Sequence, residues 1–226
     1  MNGIILKGLR GILTETGGED AWTAIHERAG LERRLYMPSS DYPDDTVAAL
    51  VDAAVIELGV AKASLLTQLG RTIGPEFVQI YDVHIRREWD ATDVVANFDR
   101  ILYGGVTKNR FTTFEAPRVT CQRVGERTIQ LEYDDDRNLC SLFVGLLESI
   151  GEEFGEEFVV DHTTCRKDGA FGCELLVTPI EEPVVASAGH THTAPEAELP
   201  PEADVHHEAT VPPEADPARA RPIIEK

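Results

Sequence analysis

Through the first 105 residues, apolar positions recur at helical spacing. Ile4, Ile5, Leu9 and Ile12 keep one face, and residues 19–30 read as a second short helix stopped by Gly30. The stretch 41–45, with Pro43 inside, punctuates. From Thr46 a helix carries Val47, Leu50, Val51, Ala54 and Val55. Residues 62–70 and 75–88 read as two further helices. Thr92 or Asp93 is the expected N-cap of a helix carrying Val94, Val95, Phe98, Ile101 and Leu102, ended by Gly104-Gly105. After Pro117 the period changes. Val119, Cys121 and Val124 alternate, as do the residues from Thr128 to Tyr133, so two strands joined near Gly125-Glu126 are predicted. Residues 138–151 form a helix with Leu139, Phe143, Leu146, Leu147 and Ile150 on one stripe. Residues 158–165 and 171–177 are two more strands, turned by Asp168-Gly169. Helices first and a small antiparallel sheet with a helix afterwards make the class α+β.

Composition sets the domain limit. All 15 aromatic residues precede Ile180, whereas eight of the 13 prolines follow it. Residues 181–226 carry ten acids, three bases and two copies of Pro-Pro-Glu-Ala-Asp, at 200–204 and 212–216. Such a segment cannot bury enough surface to offset chain entropy, so a folded unit over 1–180 and a disordered acidic tail over 181–226 are expected. His190, His192, His206 and His207 in that tail read as solvated rather than metal-scavenging. The net charge of −19 argues against nucleic acid or an anionic membrane surface as partner. No apolar run is long enough to insert in a bilayer, and the start lacks a signal-peptide pattern, so a cytoplasmic location is the default.

In that setting the four cysteines read as thiols or metal ligands rather than disulfides. Cys165 and Cys173 lie on the two strands of the last hairpin, His162 is three residues before Cys165, and Cys140 opens the preceding helix. Zn²⁺ takes such Cys3His sets tetrahedrally, with Zn–S near ~2.3 Å. Spacing alone leaves zinc and buried thiols both open. Cys121, on a strand, reads as a small buried apolar residue. Enzyme signatures are missing: GLRG and ILYGG lack the lysine and context of a phosphate loop, and no Gly-x-Ser-x-Gly turn occurs.

The stretch NFDRIL, then APRVTCQRVGERTIQLEYDDDRNLCSLFVGLLESIGEEFGEEF, resembles the H-NOX family of heme nitric oxide/oxygen binding domains, as do MNGIILKGL and LTQLGRTIGPEFVQIY. The resemblance covers nearly all of residues 1–180. It implies a helical N-terminal half packed on a half with four antiparallel strands and helices, a heme between the halves, an iron-binding His on a long helix, and a Tyr-x-Ser-x-Arg motif for the propionates. Leu102 stands where that His belongs, and Pro117 matches a proline that packs on the heme. Tyr133, Asp135 and Arg137 match the Tyr, Ser and Arg. Leu has no lone pair for iron. Asp135 can pair with Arg137 and would repel a propionate. His84 is some five turns upstream of Leu102, and Tyr103 points about 100° away around the helix. The resemblance also raises the zinc reading, since some members carry a Cys3His zinc site that Cys140, His162, Cys165 and Cys173 match.

The expectation is a stand-alone, bacterial-type H-NOX-like sensor or regulator, not an enzyme. It is independent of heme, and its zinc site answers redox change or nitric oxide. By resemblance, the partner is a signalling protein such as a histidine kinase or a cyclic-di-GMP enzyme. The alternatives are a heme gas sensor with a non-His ligand, and an apolar small-ligand or protein-interaction module whose cleft is lined by Ile4, Ile5, Phe77, Phe98, Leu102 and Pro117.

Overall fold

A computed structural model of the protein describes residues 1–108 and 117–180. The predicted tail, 181–226, lies outside the described residues. The elements run α1 (Ile4–Ala29), α2 (Asp44–Leu58), α3 (Lys62–Tyr81), a 3-10 turn (Asp82–His84), α4 (Ala91–Ala96) and α5 (Phe98–Lys108). Then follow β1 (Arg118–Arg123), β2 (Ile129–Asp134), α6 (Cys140–Glu153), β3 (Phe158–Thr164), a second 3-10 turn (Arg166–Asp168) and β4 (Cys173–Pro179). The fold is α+β. Its four-stranded sheet has the order β1-β2-β4-β3, antiparallel throughout.

Local chemistry explains where these boundaries depart from the sequence reading. The two N-terminal helical pieces form one run, α1, bent at Gly18. Its φ of 70° is open to glycine at no steric cost. The two helices expected over 62–70 and 75–88 are one helix through Pro75 that stops at Tyr81. Pro75 lies on the exposed side, where water can serve the Arg71 carbonyl that a proline leaves without its helical partner. The expected helix from Thr92 is capped earlier, by Asp90, whose carboxylate accepts from the Asp93 N–H at 2.7 Å. It breaks at Asn97, whose φ is −114°, and its continuation α5 runs past Gly104-Gly105 to Lys108.

One face of the sheet meets the core and the other meets water. On β2, Ile129, Leu131 and Tyr133 are buried while Glu132 is exposed; on β4, Cys173, Leu175 and Val177 are buried. This is the alternation of a one-sided antiparallel sheet. Aromatic rings link the helical half to it. Phe77 stacks on Phe98 with centroids 5.4 Å apart, Phe98 meets Phe143 edge-on at 5.9 Å, and Phe143 meets Tyr133 at 4.7 Å.

The tightest seam is α3 against α6. A Cβ on Gly70 would strike the Leu142 carbonyl oxygen, and one on Gly145 would strike the Thr67 carbonyl oxygen. The two backbones therefore touch, and Thr67 Oγ1 donates to the Ser141 carbonyl at 3.1 Å beside them. Gly145→Val is expected to lower stability by about 3 kcal/mol or more, because backbone cannot yield as a side chain tip does. Urea denaturation of both proteins measures this, and an unchanged midpoint would contradict the seam.

Candidate functional site

Four separated residues converge at the end of the sheet. Cys140 is the first residue of α6, Cys173 opens β4, Cys165 follows β3, and His162 lies within β3. Their ligand atoms all lie within 4.8 Å of one another. Cys165 Sγ is 3.9 Å from both Cys140 Sγ and Cys173 Sγ. A tetrahedron with Zn–S near ~2.3 Å has S···S edges of about 3.8 Å, so the spacing fits such an ion, whereas a disulfide needs about 2.05 Å.

The backbone around the cluster accounts for this. His162 and Cys165 are three residues apart, so in a regular strand they would face opposite sides. The pairing slips between His162 and Thr164, because His162 opposes Leu175 while Thr164 opposes Glu174. This bulge leaves Thr163 unpaired and resets the parity. Thr163 Oγ1 secures it by donating to the Glu174 side chain at 2.7 Å. The Arg166 N–H donates to Cys173 Sγ at 3.4 Å. Burial, followed by the neighbouring thiols Cys173 and Cys165, pushes the Cys140 thiol up to about 12, against the pull of Lys167. Desolvation and then Lys167 push His162 down, which leaves its imidazole neutral and able to ligate near pH 7. A divalent cation replacing the thiol protons is the chemistry this donor set suits. Cys121 stays apart, half-buried on β1, its thiol pushed up to about 12 by burial.

Beside the cluster lies a cavity of about 670 Å³. Ile4, Ile5, Phe77, Leu102 and Pro117 line it, as the sequence reading has it, together with Leu142 and Leu146 of α6. Phe98 does not line it; it is fully buried in the aromatic stack. Leu102 is buried at the wall. Tyr103 turns away, its hydroxyl donating to the Pro117 carbonyl at 3.2 Å. His84 sits closer than a continuous helix would allow. Because α3 ends at Tyr81, the chain folds back, and the imidazole packs against Gly104 at the cavity's edge. Helical periodicity carried no signal for this reversal.

Tyr133, Asp135 and Arg137 gather at one end of the cavity. Asp135 Oδ1 accepts from Arg137 Nε at 2.7 Å and from the Arg137 N–H at 2.8 Å, and Asp135 Oδ2 accepts from Arg137 Nη2. Both side chains are largely buried, at 14% and 10% exposure for Arg137 and Asp135. Burial alone would raise the Asp135 carboxyl, but the Arg137 hydrogen bonds and charge outweigh it and hold the group below its ordinary value. Asp44 lies 3.9 Å from Arg137 Nε and pairs at 2.6 Å with the Met1 ammonium.

Comparison with known proteins identifies the family and the fold. The Haem-NO-binding family model matches residues 2–162. The chain belongs to that family, the H-NOX domains. Among solved structures, it resembles an H-NOX protein from S. oneidensis in its Fe(II)NO ligation state. That match has a TM-score of 0.72 and 21% identity and covers 80% of this chain and 100% of that one. A mutant of the T. tengcongensis H-NOX matches with a TM-score of 0.67 and 21% identity, over 81% and 100% of the two chains. A histidine-to-glycine mutant of the Shewanella oneidensis domain in an Fe(II)CO ligation state matches with a TM-score of 0.71 and 21% identity, over 80% and 100%. No curated protein matches. Among the described residues, no helix is long and apolar enough to cross a membrane.

The family implies heme, and two features of the cavity do not fit it. The wall at Leu102 offers carbon to an iron, and Asp135 already holds the guanidinium that would meet a propionate. Asp135→Asn is expected to cost about 1–3 kcal/mol at pH 7, since it removes a buried charged acceptor. A carboxyl held below its unfolded value stabilises above that value, ~3.9, and the gain is lost as pH falls through the folded one. The gap between the proteins should therefore shrink by pH 3. Denaturation at both pH values checks it, and a gap that is constant or widens in acid would contradict the pairing.

Proposed function

We propose that this H-NOX domain is a heme-independent sensor whose Cys140, His162, Cys165 and Cys173 hold zinc and answer oxidants or nitric oxide. The observation that carries the reading is the convergence of the four ligand atoms within 4.8 Å, with sulfur spacings of 3.9 Å. The fit is to a closed, four-ligand structural site, with no position left for a substrate.

Cys165 sits between the other two sulfurs. With hydrogen peroxide, two zinc-held thiolates would lose two electrons and form one S–S bond, and the peroxide, taking two protons from solvent, would be reduced to two waters. A bond from Cys165 to either neighbour removes two of four ligands. When the bond joins Cys165 to Cys173, both on the hairpin of β3 and β4, that hairpin loses its tie to α6. That loosening is the proposed signal. By family resemblance, the proposed receiver is a histidine kinase or a cyclic-di-GMP enzyme.

Independence from heme is supported by Leu102 and Asp135 together. Loss of one histidine does not decide the matter, given the mutant relative in an Fe(II)CO state. The competing heme reading draws on His84, the imidazole at the cavity's edge. Freshly purified protein is expected to contain one zinc per chain, to release it on peroxide treatment as hairpin amide exchange accelerates, and to lack zinc as Cys173→Ser. Hemin titration is expected to give no sharp Soret band. Zinc retained after oxidation with unchanged exchange would reduce the site to a structural role. A stoichiometric Soret complex, lost in His84→Ala, would establish the heme reading instead.

A further inference from the structure

The cavity has a chemistry of its own. Its walls are mostly aliphatic and aromatic, so water filling its roughly 670 Å³ would face carbon on most sides. A void of that size is the scale of a small-molecule site. Its mouth continues onto apolar surface at Ile80 and Val83, which are 52% and 80% exposed.

The guanidinium, carboxylate and ammonium groups at its edge are each matched within the protein. Arg137 is held by Asp135, Glu76 pairs with Lys7 at 2.6 Å, and the Met1 ammonium pairs with Asp44 at 2.6 Å. A charged occupant would have to break one of these pairs or sit unpaired in an apolar space. One donor remains. Tyr133 is 2% exposed, lines the cavity, and accepts from the Leu139 N–H at 3.3 Å. Among the described residues its own hydroxyl proton has no acceptor. Burial, and then the Asp135 charge, raise the Tyr133 pKa, so the group remains a donor.

We propose that this cavity binds an uncharged, lipid-like molecule, with an apolar body against α1, α3, α5 and α6 and one oxygen acceptor taking the Tyr133 hydroxyl proton. The proposal rests on the heme-free part of the functional reading and needs nothing from the cysteine cluster.

The test uses the full chain and the neutral dye Nile red, displaced by dodecan-1-ol or by laurate at pH 7.5. The two competitors share a chain length and differ in charge. Saturable 1:1 dye binding is expected, with dodecanol displacing it at least tenfold more tightly than laurate. Tyr133→Phe should weaken dodecanol about fivefold, the worth of one hydrogen bond. Ile80→Glu, a change at an already exposed position, should weaken dye and alcohol alike by placing charge at the mouth. Asp135→Asn, which removes the carboxylate nearest Arg137, should narrow the gap between laurate and dodecanol. No saturable binding, equal or tighter binding of laurate by the wild type, or indifference to both Tyr133→Phe and Ile80→Glu would overturn the proposal. Hemin is titrated in parallel. A Soret complex overturns the heme-free reading and this proposal with it, whereas absent dye binding without a Soret band overturns this proposal alone.

Discussion

The architecture depends on α3 and α6 meeting backbone to backbone. Gly70 and Gly145 remove the two side chains that would hold the helices apart, and Thr67 seals the seam with a hydrogen bond to the Ser141 carbonyl. Close approach fixes the helix that carries Cys140 at its first residue and floors the cavity with Leu142 and Leu146. It also fixes the opposite wall, because Phe77 and Ile73 belong to α3. Dispersion contacts in such a seam are individually small, but they fall away steeply with separation. A methyl group inserted there displaces both the cluster and the cavity.

Two kinds of chemistry lie side by side on this frame. At the end of the sheet, sulfur and imidazole are concentrated without a nearby carboxylate among the ligands, which suits a borderline-soft cation over calcium or magnesium. In the interior, charge is paired away. Asp135 is central to that second arrangement. A serine at its position would offer the Arg137 guanidinium no charge, whereas the aspartate supplies one from two residues away. The same side chain therefore both braces the turn after β2 and neutralises the pocket.

Much of this was legible in the sequence, for identifiable reasons. The shift from helical to alternating period at Pro117 located the sheet, and the resemblance of Tyr133, Asp135 and Arg137 to the family's propionate motif located one end of the cavity. His162 and the three cysteines stood out by residue type, and the fold brings them together. Their geometry was less legible. Opposite parity along a strand would separate His162 from Cys165, and only the bulge at Thr163 reconciles them, which periodicity does not report. Pro75 misled because proline usually ends a helix, yet on an exposed face water replaces its missing bond. His84 was assigned too great a distance because a helix was continued where the chain reverses at Tyr81. Phe98 was expected at the cavity, but the rings of Phe77 and Phe143 enclose it.

The pairing of Tyr133 with Cys173 across β2 and β4 carries one more implication. These are directly opposed residues, one facing the cavity and one belonging to the sulfur cluster, and α6 is common to both. Should each compartment hold a guest, the two occupancies are reciprocal: whatever factor the first applies to the affinity of the second, the second returns to the first. In a domain built this way, occupancy of either compartment would set the threshold for occupancy of the other.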